Sequence, residues 1–416
     1  MSEVPQKHLF DGTELNVYET GNVVNLSAGA PGPDLLRECS NLFLKATEHR
    51  MKHEFENNAY LFQYGPAIGR IDFRTVLADF LSRRYHANVN PVNLVVTTGA
   101  TQGLHLILST LLDLHAFVFV DEVTYMIALE AISQFNTMKI VAVPFSTRHG
   151  VDLDALEQLV TERKFTPSND KPFWGVYYTI PTFHNPTGVL YSEATCKKLI
   201  KIARDNNLLV ACDDVYNVLS YDTETPPKRL FAFDDVKDEN YRGNVISNGT
   251  FSKILSPGIR LGWMECPVKI ADIFRESGVL RSGGCANGYM TGIVQSLIEL
   301  KLLDGHLDLY YAKYKERMEA ACEILKKKLD PSCDFQAPRG GYFIWITFPE
   351  GTNCLEFNEF CRKNFGVVAI PGPRFSAQGL FKNCMRLTIA FHEVATIKLA
   401  ITKFCEAFDA YKKIKN

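Results

Sequence analysis

Short apolar runs alternate with longer amphipathic segments from about residue 93 onward, and this alternation limits the possible folds more than any other feature of the sequence. Parallel strands need long crossover connections, which are usually helices, so the pattern indicates βα units. Two of these helices begin after a capping residue, Asp152 and Ser192. We therefore predict an α/β fold with a mostly parallel sheet flanked by helices. The predicted strands are Leu94 to Thr97, Phe117 to Val120, Val176 to Ile180, Leu208 to Ala211 and Asn244 to Ser247.

A second, smaller α+β domain is predicted from the C-terminal part of the chain. There the pattern changes to a long charged helix, Tyr310 to Leu329, and then to a glycine-rich hairpin or strand region, Pro338 to Phe348. The first 45 residues do not fit the βα alternation either, and we expect them to pack with the C-terminal part. The predicted division is a large domain of residues 46–299 and a small domain of residues 1–45 and 300–416.

Composition excludes several classes of partner. The chain has 416 residues, with 45 basic and 47 acidic side chains, so no overall field attracts nucleic acid or a membrane. The most apolar stretch, Leu104 to Val120, is shorter than the roughly 20 residues of a membrane-spanning helix and predicts a buried helix followed by a strand. Met1 to Phe10 resembles no targeting signal. The eleven cysteines form no C-x-x-C pair, so we expect reduced thiols and a cytoplasmic protein.

Reactive side chains follow all five predicted strands. The carboxyl ends of strands in an open α/β sheet form the usual ligand site, so these segments are expected to meet at one rim. The helix after the first strand also offers free backbone N–H groups that suit a phosphate. The segments are Thr98 to Gln102, Asp121 to Tyr125, Asn185 to Gly188, Cys212 to Tyr216 and Gly249 to Lys253.

This collection matches the chemical needs of pyridoxal 5'-phosphate. That cofactor requires a lysine for its aldehyde, a carboxylate for its pyridine nitrogen and hydrogen-bond donors for its phenolic oxygen. It also requires an aromatic ring to stack on and N–H, hydroxyl and arginine groups for its phosphate. The sequence offers a candidate for each of these groups.

The sequence resembles the class I/II aminotransferases of pyridoxal phosphate fold type I, nearest the 2-aminoadipate, kynurenine and multisubstrate branch. The resemblance extends from about Leu26 to Arg386 and is strongest in Gly249-Thr250-Phe251-Ser252-Lys253 and the following segment to Gly262. It implies that Lys253 forms a Schiff base with the cofactor. It further implies a phosphate site made by the side chains and backbone of Thr250, Ser252, Arg260, Gly99, Ala100 and Thr101.

The same resemblance assigns the groups around the cofactor ring. Asp213 matches the partner of the pyridine nitrogen, and Asp214 is expected to face the other way. Asn185 and Tyr216 match the groups that bond the phenolic oxygen, and Tyr125 matches the aromatic ring that stacks on the cofactor. Lys253, Asp213 and Tyr125 are the predicted catalytic residues.

Substrate contacts are implied from outside the central sheet. Arg386 resembles the arginine that binds the substrate α-carboxylate, a task that suits a planar bidentate donor, and Asn185 is assigned to the same substrate site. Gly29 resembles the glycine that approaches that carboxylate. Tyr64 resembles a tyrosine that reaches the phosphate of the neighbouring subunit, so the resemblance implies a homodimer with shared active sites.

Each of these residues, taken alone, has a simpler interpretation. The alternatives are a plain strand-to-helix turn for Thr98 to Gln102, a surface lysine for Lys253, a helix cap for Asp213, an ordinary turn for Asn185 to Gly188, a core tyrosine for Tyr125 and a structural salt bridge for Arg386.

Some positions depart from the family pattern. His184 stands where glutamine commonly precedes Asn-Pro-Thr-Gly, and Cys212 stands where an acidic residue is frequent. The segment Arg281 to Tyr289 matches little of the family and lies where substrate contacts are expected. His49 and His53 are spaced to chelate a metal, but a solvated helix face is the preferred interpretation and no metal site is predicted.

The predicted function is transfer of an α-amino group from an L-amino acid of 2-aminoadipate, aromatic or aliphatic type to a 2-oxo acid such as 2-oxoglutarate. A pyridoxal phosphate lyase, decarboxylase or synthase is the alternative, because a fold does not fix the reaction. An aminotransferase-like transcriptional regulator is a remote alternative, since about 25 residues before Leu26 are too few for a DNA-binding domain.

Overall fold

The computed structural model describes residues 23–168, 170–222, 224–284 and 287–415. Residues 1–10, for which no targeting signal is predicted, lie outside this part of the chain. The helices are α1 (Pro33–Glu56), α2 (Ile71–Tyr85), α3 (Ala100–Leu111), α4 (Met126–Ser133), α5 (Leu153–Arg163), α6 (Glu193–Asn206), α7 (Val268–Arg275), α8 (Gly278–Arg281), α9 (Gly288–Glu299), α10 (Leu302–Lys328), α11 (Cys354–Phe365) and α12 (Val394–Lys415). The strands are β1 (Val24–Asn25), β2 (Leu94–Thr97), β3 (Leu112–Asp121), β4 (Lys139–Val143), β5 (Phe145–Ser146), β6 (Gly150–Val151), β7 (Phe173–Thr179), β8 (Leu209–Asp213), β9 (Val245–Thr250), β10 (Gly262–Glu265), β11 (Asp334–Phe335), β12 (Phe343–Thr347), β13 (Val367–Val368), β14 (Ile370–Pro371) and β15 (Cys384–Thr388).

The central sheet has seven strands in the order β2-β10-β9-β8-β7-β3-β4. Every neighbouring pair is parallel except those that include β10, which runs antiparallel to β2 and β9. All five predicted strands belong to this sheet. The prediction of a mostly parallel sheet in an α/β fold is confirmed.

The two predicted capping residues begin their helices as expected. The Asp152 side chain accepts hydrogen bonds from the backbone N–H groups of Asp154 and Ala155 at 3.1 and 3.0 Å. The Ser192 hydroxyl accepts one from the N–H of Thr195 at 3.1 Å. These bonds satisfy donors that the first turn of a helix leaves without partners, so the local sequence fixes where α5 and α6 start.

Alternate residues of the central strands enter two separate apolar clusters. Tyr178 and Ala211 pack on one face of the sheet, whereas Tyr177, Val210 and Cys212 pack on the other. Both faces are buried because helices cover them, as is usual for parallel sheets. Asp213 follows this alternation and lies on the face of Tyr178.

The C-terminal part contains the predicted α+β layer. Four antiparallel strands form the order β11-β12-β15-β14, and α10 packs against α12. The charged helix begins at Leu302, eight residues before the predicted start. Strand β1 pairs in parallel with β13, so the N-terminal segment does contact the C-terminal part. Helix α1 runs without interruption through residue 45, and the domain division itself stays a prediction.

Two strands of the central sheet were not predicted. Strand β4 is a partly exposed edge strand, and β10 is a four-residue strand that ends in a charged side chain, Glu265. That carboxylate forms an ion pair with Arg229, and both side chains are almost fully buried. The Arg229 guanidinium also lies 4.0 Å from the centre of the Tyr85 ring. An apolar run does not mark a strand that is only four residues long and includes a charged side chain, so the sequence pattern does not predict β10.

Among the described residues, no helix has both the length and the apolar character needed to cross a membrane. The ten cysteines in the same part of the chain are all free thiols.

The buried Arg229–Glu265 pair generates a prediction about stability. Replacing Glu265 with alanine leaves a buried guanidinium without its counter-charge, so we expect the free energy of unfolding to fall by about 3–5 kcal/mol. The control is Glu48→Ala, which breaks an exposed pair with Lys52 and should leave the free energy of unfolding nearly unchanged. Urea denaturation at fixed protein concentration measures both values. Equal small losses in the two variants would contradict the prediction.

Candidate active site

A cavity of about 220 Å³ opens at the carboxyl ends of β7, β8 and β9. Apart from Gly99 and Tyr64, all the residues predicted for the site line this cavity. They are Gly29, Ala100, Thr101, Tyr125, Asn185, Asp213, Tyr216, Thr250, Ser252, Lys253, Arg260 and Arg386. Side chains from distant parts of the sequence therefore meet in one place.

Lys253 lies three residues after the end of β9, and its side chain points into the cavity. The Lys253 amine donates a hydrogen bond to the backbone carbonyl of Gly29 at 2.8 Å. The backbone carbonyl of Lys253 accepts one from the Tyr342 hydroxyl at 2.6 Å. Burial lowers the pKa of Lys253 to about 8, and the nearby Arg386 cation contributes to the shift. A substantial fraction of the amine is therefore neutral, and nucleophilic, near physiological pH.

Asp213 is the last residue of β8 and is buried. Its Oδ2 accepts a hydrogen bond from the Tyr178 hydroxyl at 2.6 Å, and its Oδ1 has no partner among the described residues. Burial raises the pKa of Asp213 to about 6, whereas the bond from Tyr178 acts in the opposite direction. Asp213 caps no helix, so that simpler interpretation does not apply.

The two residues next to Asp213 in the chain do not line the cavity. Asp214 follows β8 and accepts a hydrogen bond from the Ser247 hydroxyl at 2.5 Å. Cys212 is buried in the apolar cluster on the opposite face of the sheet, and burial raises its pKa well above the usual range.

One end of the cavity is lined by hydroxyl, guanidinium and backbone N–H groups that can donate hydrogen bonds. The Thr250 hydroxyl lies 3.0 Å from the Ser252 hydroxyl, and Arg260 reaches the latter at 3.5 Å. Gly99 precedes α3 with φ of +113°, and a Cβ atom there would lie 3.2 Å from the Arg260 guanidinium. The first N–H groups of α3 have no partners within the helix. A helix start beside an arginine and two hydroxyls suits a phosphate.

Two asparagines that support this end were not predicted. Asn248 donates a hydrogen bond to the carbonyl of Ala100 at 2.7 Å, and a Cβ atom at Gly103 would lie only 2.2 Å from its Oδ1. Asn287 donates to the carbonyls of Ile259 and Arg260 at 2.9 and 2.6 Å. Both act on backbone atoms, so no side-chain motif could reveal them.

Arg386 extends from β15 into the other end of the cavity. Its Nη1 donates to Asn185 Oδ1 at 2.9 Å and its Nη2 to the carbonyl of Ser27 at 2.7 Å. The guanidinium lies 4.1 Å from the centre of the Phe343 ring and 4.9 Å from that of Phe375. Burial lowers the pKa of Arg386 to about 10. No acidic side chain pairs with it among the described residues.

Aromatic side chains form the remaining walls. Tyr125 lies at the start of α4, and the Tyr216 ring packs against Tyr342 and Phe343 with centroids 5.3 and 5.6 Å apart. A Cβ atom at Gly29 would lie 2.8 Å from the Phe343 ring, so only glycine fits at that position without a shift of the ring.

Tyr64 does not reach the cavity of its own chain. Its side chain is 82% exposed, and the loop is held by a bond from the Gly65 N–H to the carbonyl of Gly283 at 3.0 Å. Gly283 belongs to the segment that matched little of the family pattern. A Cβ atom at this glycine would lie 2.7 Å from the Tyr64 ring, so part of that segment supports the Tyr64 loop.

The three histidines noted in the sequence lie outside the cavity. His184 is fully buried, stacks on Phe145 and lies 2.9 Å from the Thr187 hydroxyl. His49 lies 3.0 Å from the Ser296 hydroxyl, whereas His53 is exposed. No group of three metal-ligating side chains is found in the described part of the chain.

Comparison with known proteins agrees with this geometry. The profile of the family "Aminotransferase class I and II" matches residues 21–404. An aromatic-amino-acid aminotransferase of Thermococcus litoralis is 30% identical over 401 residues, covering 94% of this chain and 89% of the relative. The multiple substrate aminotransferase of Thermococcus profundus has a TM-score of 0.82 at 27% identity, covering 96% of this chain and 94% of that structure. The kynurenine aminotransferase of Pyrococcus horikoshii has a TM-score of 0.80 at 29% identity, covering 96% and 93%.

Fold and relatives together define a pyridoxal-phosphate-dependent enzyme of fold type I that acts on small molecules. The chain belongs to the class I and II aminotransferase family. The cavity fits the cofactor of that family. The unpartnered Oδ1 of Asp213 can accept a hydrogen bond from a ring nitrogen, and the position of Gly99 leaves room for a phosphate beside Arg260.

The lowered pKa of Lys253 gives a prediction for the cofactor-free protein. We expect labelling of Lys253 by an amine-reactive sulfonate to rise with pH through a midpoint near 8 rather than near the ordinary 10.5. Arg386→Leu removes a nearby cation that disfavours the protonated amine, so it should raise the midpoint. Mass spectrometry of the Lys253 peptide between pH 6 and 10 measures both curves. A midpoint near 10.5 would contradict the lowered pKa of Lys253. A midpoint that Arg386→Leu leaves unchanged would contradict the contribution of Arg386 to that shift.

Proposed function

We propose that the enzyme transfers the α-amino group of an L-amino acid, of 2-aminoadipate, aromatic or aliphatic type, to a 2-oxo acid such as 2-oxoglutarate. The observation that carries this proposal is the buried Arg386 guanidinium, which has no acidic partner in the described part of the chain and shares one cavity with the Lys253 amine. A fixed cation opposite an amine suits a substrate whose carboxylate and reacting carbon are adjacent.

The proposed cofactor contacts follow from the two ends of the cavity. Bound pyridoxal phosphate supplies an aldehyde that condenses with amines and a ring that accepts an electron pair from the substrate. Asp213 would hold the ring nitrogen, while Tyr125 would stack on the ring. The phenolic oxygen would lie against Asn185 and Tyr216. The phosphate would be held by Thr250, Ser252, Arg260 and the backbone of Gly99, Ala100 and Thr101.

Arg386 and Lys253 would divide the work on the substrate. Arg386 would bind the α-carboxylate through its planar fork, which Asn185 and the Ser27 carbonyl already hold in place. Gly29 would leave room for the same carboxylate. When the Lys253 amine is not bonded to the cofactor, its Nζ atom would accept the proton from the substrate α-carbon as a general base. The same atom would then donate the proton as a general acid. A pKa of about 8 suits this exchange, because an acid–base group works best when its pKa lies near the working pH.

Apolar side chains near the reacting groups support a donor with an apolar side chain within the proposed range. Among the residues that line the cavity are Ala28, Ala30, Leu104, Met126, Val215 and Phe343. The names of two relatives, an aromatic-amino-acid and a kynurenine aminotransferase, point the same way. The acceptor is proposed by analogy with the family.

We also propose a cytoplasmic homodimer whose partner chains complete each other's sites. The exposed Tyr64 ring, held away from the cavity of its own chain, would reach the cofactor phosphate of the second subunit. The free thiols of the ten described cysteines are in keeping with a reducing compartment.

Lys253→Ala tests the cofactor assignment. Purified wild-type protein with pyridoxal phosphate should show the visible absorption band of a lysine-bound cofactor, and the variant should lose both this band and transamination. Lys363→Ala, which removes an exposed lysine on α11, is the control and should keep both. A wild-type protein without the band, or a variant that retains it, would overturn the assignment.

A panel of amino donors with 2-oxoglutarate tests the reaction. We expect a 2-oxo acid to form from aromatic, aliphatic or 2-aminoadipate donors, with one glutamate formed for each donor consumed. Release of ammonia, sulfide or carbon dioxide in place of glutamate would favour a lyase, decarboxylase or synthase instead.

A further inference from the structure

We propose that Tyr178 is a positioning residue that keeps Asp213 ionised and aimed at the cofactor nitrogen. The inference rests on the proposed role of Asp213 and adds a residue that has no place in the sequence motifs. Tyr178 would act through Asp213, and its effect would be on the protonation of the cofactor ring.

The sheet register brings the two side chains together. Strands β7 and β8 are parallel neighbours, and Tyr178 is paired with Ala211, two residues before Asp213 on the same face. The Tyr178 hydroxyl therefore points along the face towards the strand end, where it donates to Asp213 Oδ2 at 2.6 Å. This short bond leaves Oδ1 as the oxygen without a partner. The two oxygens of one carboxylate thus have separate environments, one fixed by protein and one open to a ligand.

The charge balance around Asp213 explains why such a donor is needed. Asp213 is buried and forms no salt bridge with any described residue, and the adjacent Asp214 carboxylate also disfavours its ionised form. The Lys253 amine favours ionisation, but Lys253 binds the cofactor in the resting enzyme under the proposed function. Among the described residues, Tyr178 is then the remaining hydrogen-bond donor to Asp213, and burial raises its own pKa well above the usual range, so it stays protonated and able to donate.

Loss of this donor would shift one proton. A hydrogen bond to the ionised form raises the ratio of ionised to protonated carboxyl by about tenfold or more. Without it, the proton on the pyridine nitrogen would pass to Asp213 Oδ1, which leaves both groups neutral and changes no other atom. A neutral ring withdraws electrons less strongly, so removal of the substrate α-proton would become slower.

The chain offers a matched control one residue away. Tyr177 lies on the same strand and is equally buried, but its ring is on the opposite face, where its hydroxyl donates to Asp121. Tyr177→Phe and Tyr178→Phe each remove one buried hydroxyl that bonds to a carboxylate. Of the two carboxylates, only Asp213, the partner of Tyr178, lines the cavity.

The test uses the holoenzyme loaded with ¹⁵N-labelled pyridoxal phosphate. In Tyr178→Phe we expect the nitrogen resonance to move from the protonated towards the unprotonated position and kcat to fall about tenfold, with a smaller change in KM. In Tyr177→Phe both should stay within about twofold of wild type. Melting temperatures of the two variants show whether each is folded to the same extent.

Two outcomes separate this inference from the function on which it rests. A protonated nitrogen in Tyr178→Phe together with an unprotonated one in Asp213→Asn would overturn the role of Tyr178 alone. A protonated nitrogen in Asp213→Asn would overturn the role of Asp213 and with it this inference. An equal response of Tyr177→Phe and Tyr178→Phe would show a general effect of buried hydroxyls and would also overturn it.

Discussion

Three of the charged side chains that line the cavity, Lys253, Asp213 and Arg386, form no ion pair with one another, and the rest of the structure has to offset the cost of burying them. Desolvation moves each pKa towards the neutral form, to about 8 for Lys253, about 6 for Asp213 and about 10 for Arg386. Buried charges without counter-ions cost several kcal/mol each. They persist here because each comes from a segment that is fixed elsewhere in the fold, Asp213 and Arg386 by sheet hydrogen bonds and Lys253 by the bond from Tyr342.

The sheet offsets that cost by burying both of its faces. Central strands contribute alternate side chains to two apolar clusters, so the strand ends cannot shift without disturbing packing on both sides. The antiparallel strand β10 adds the buried pair of Arg229 and Glu265 next to β9, whose end leads to Lys253. The strands therefore provide much of the stability, while Asp213 is the last residue of β8 and Lys253 follows the end of β9.

Prediction from sequence succeeded where one local signal determines one feature. Apolar runs predicted the five strands, and capping residues predicted the starts of α5 and α6. It failed where tertiary contacts decide, as in β10, which is short and carries a charge because Arg229 is present to receive it. Asn248 and Tyr178 were missed for a related reason. Their partners, the Ala100 carbonyl and the Asp213 carboxylate, become neighbours only when strands from distant parts of the chain are aligned.

The hydrogen bonds to the three charges share one property. Asp213 is bonded by a neutral phenol, Arg386 by an amide oxygen and a carbonyl, and Lys253 by the Gly29 carbonyl. Neutral dipoles orient a charge and reduce its desolvation penalty without cancelling it, whereas a salt bridge would cancel it. The ionised form of each group therefore remains available to interact with a ligand that binds in the cavity. Among the three, Lys253 is the group that both of the others influence, because the Arg386 cation lowers its pKa and the Asp213 carboxylate raises it.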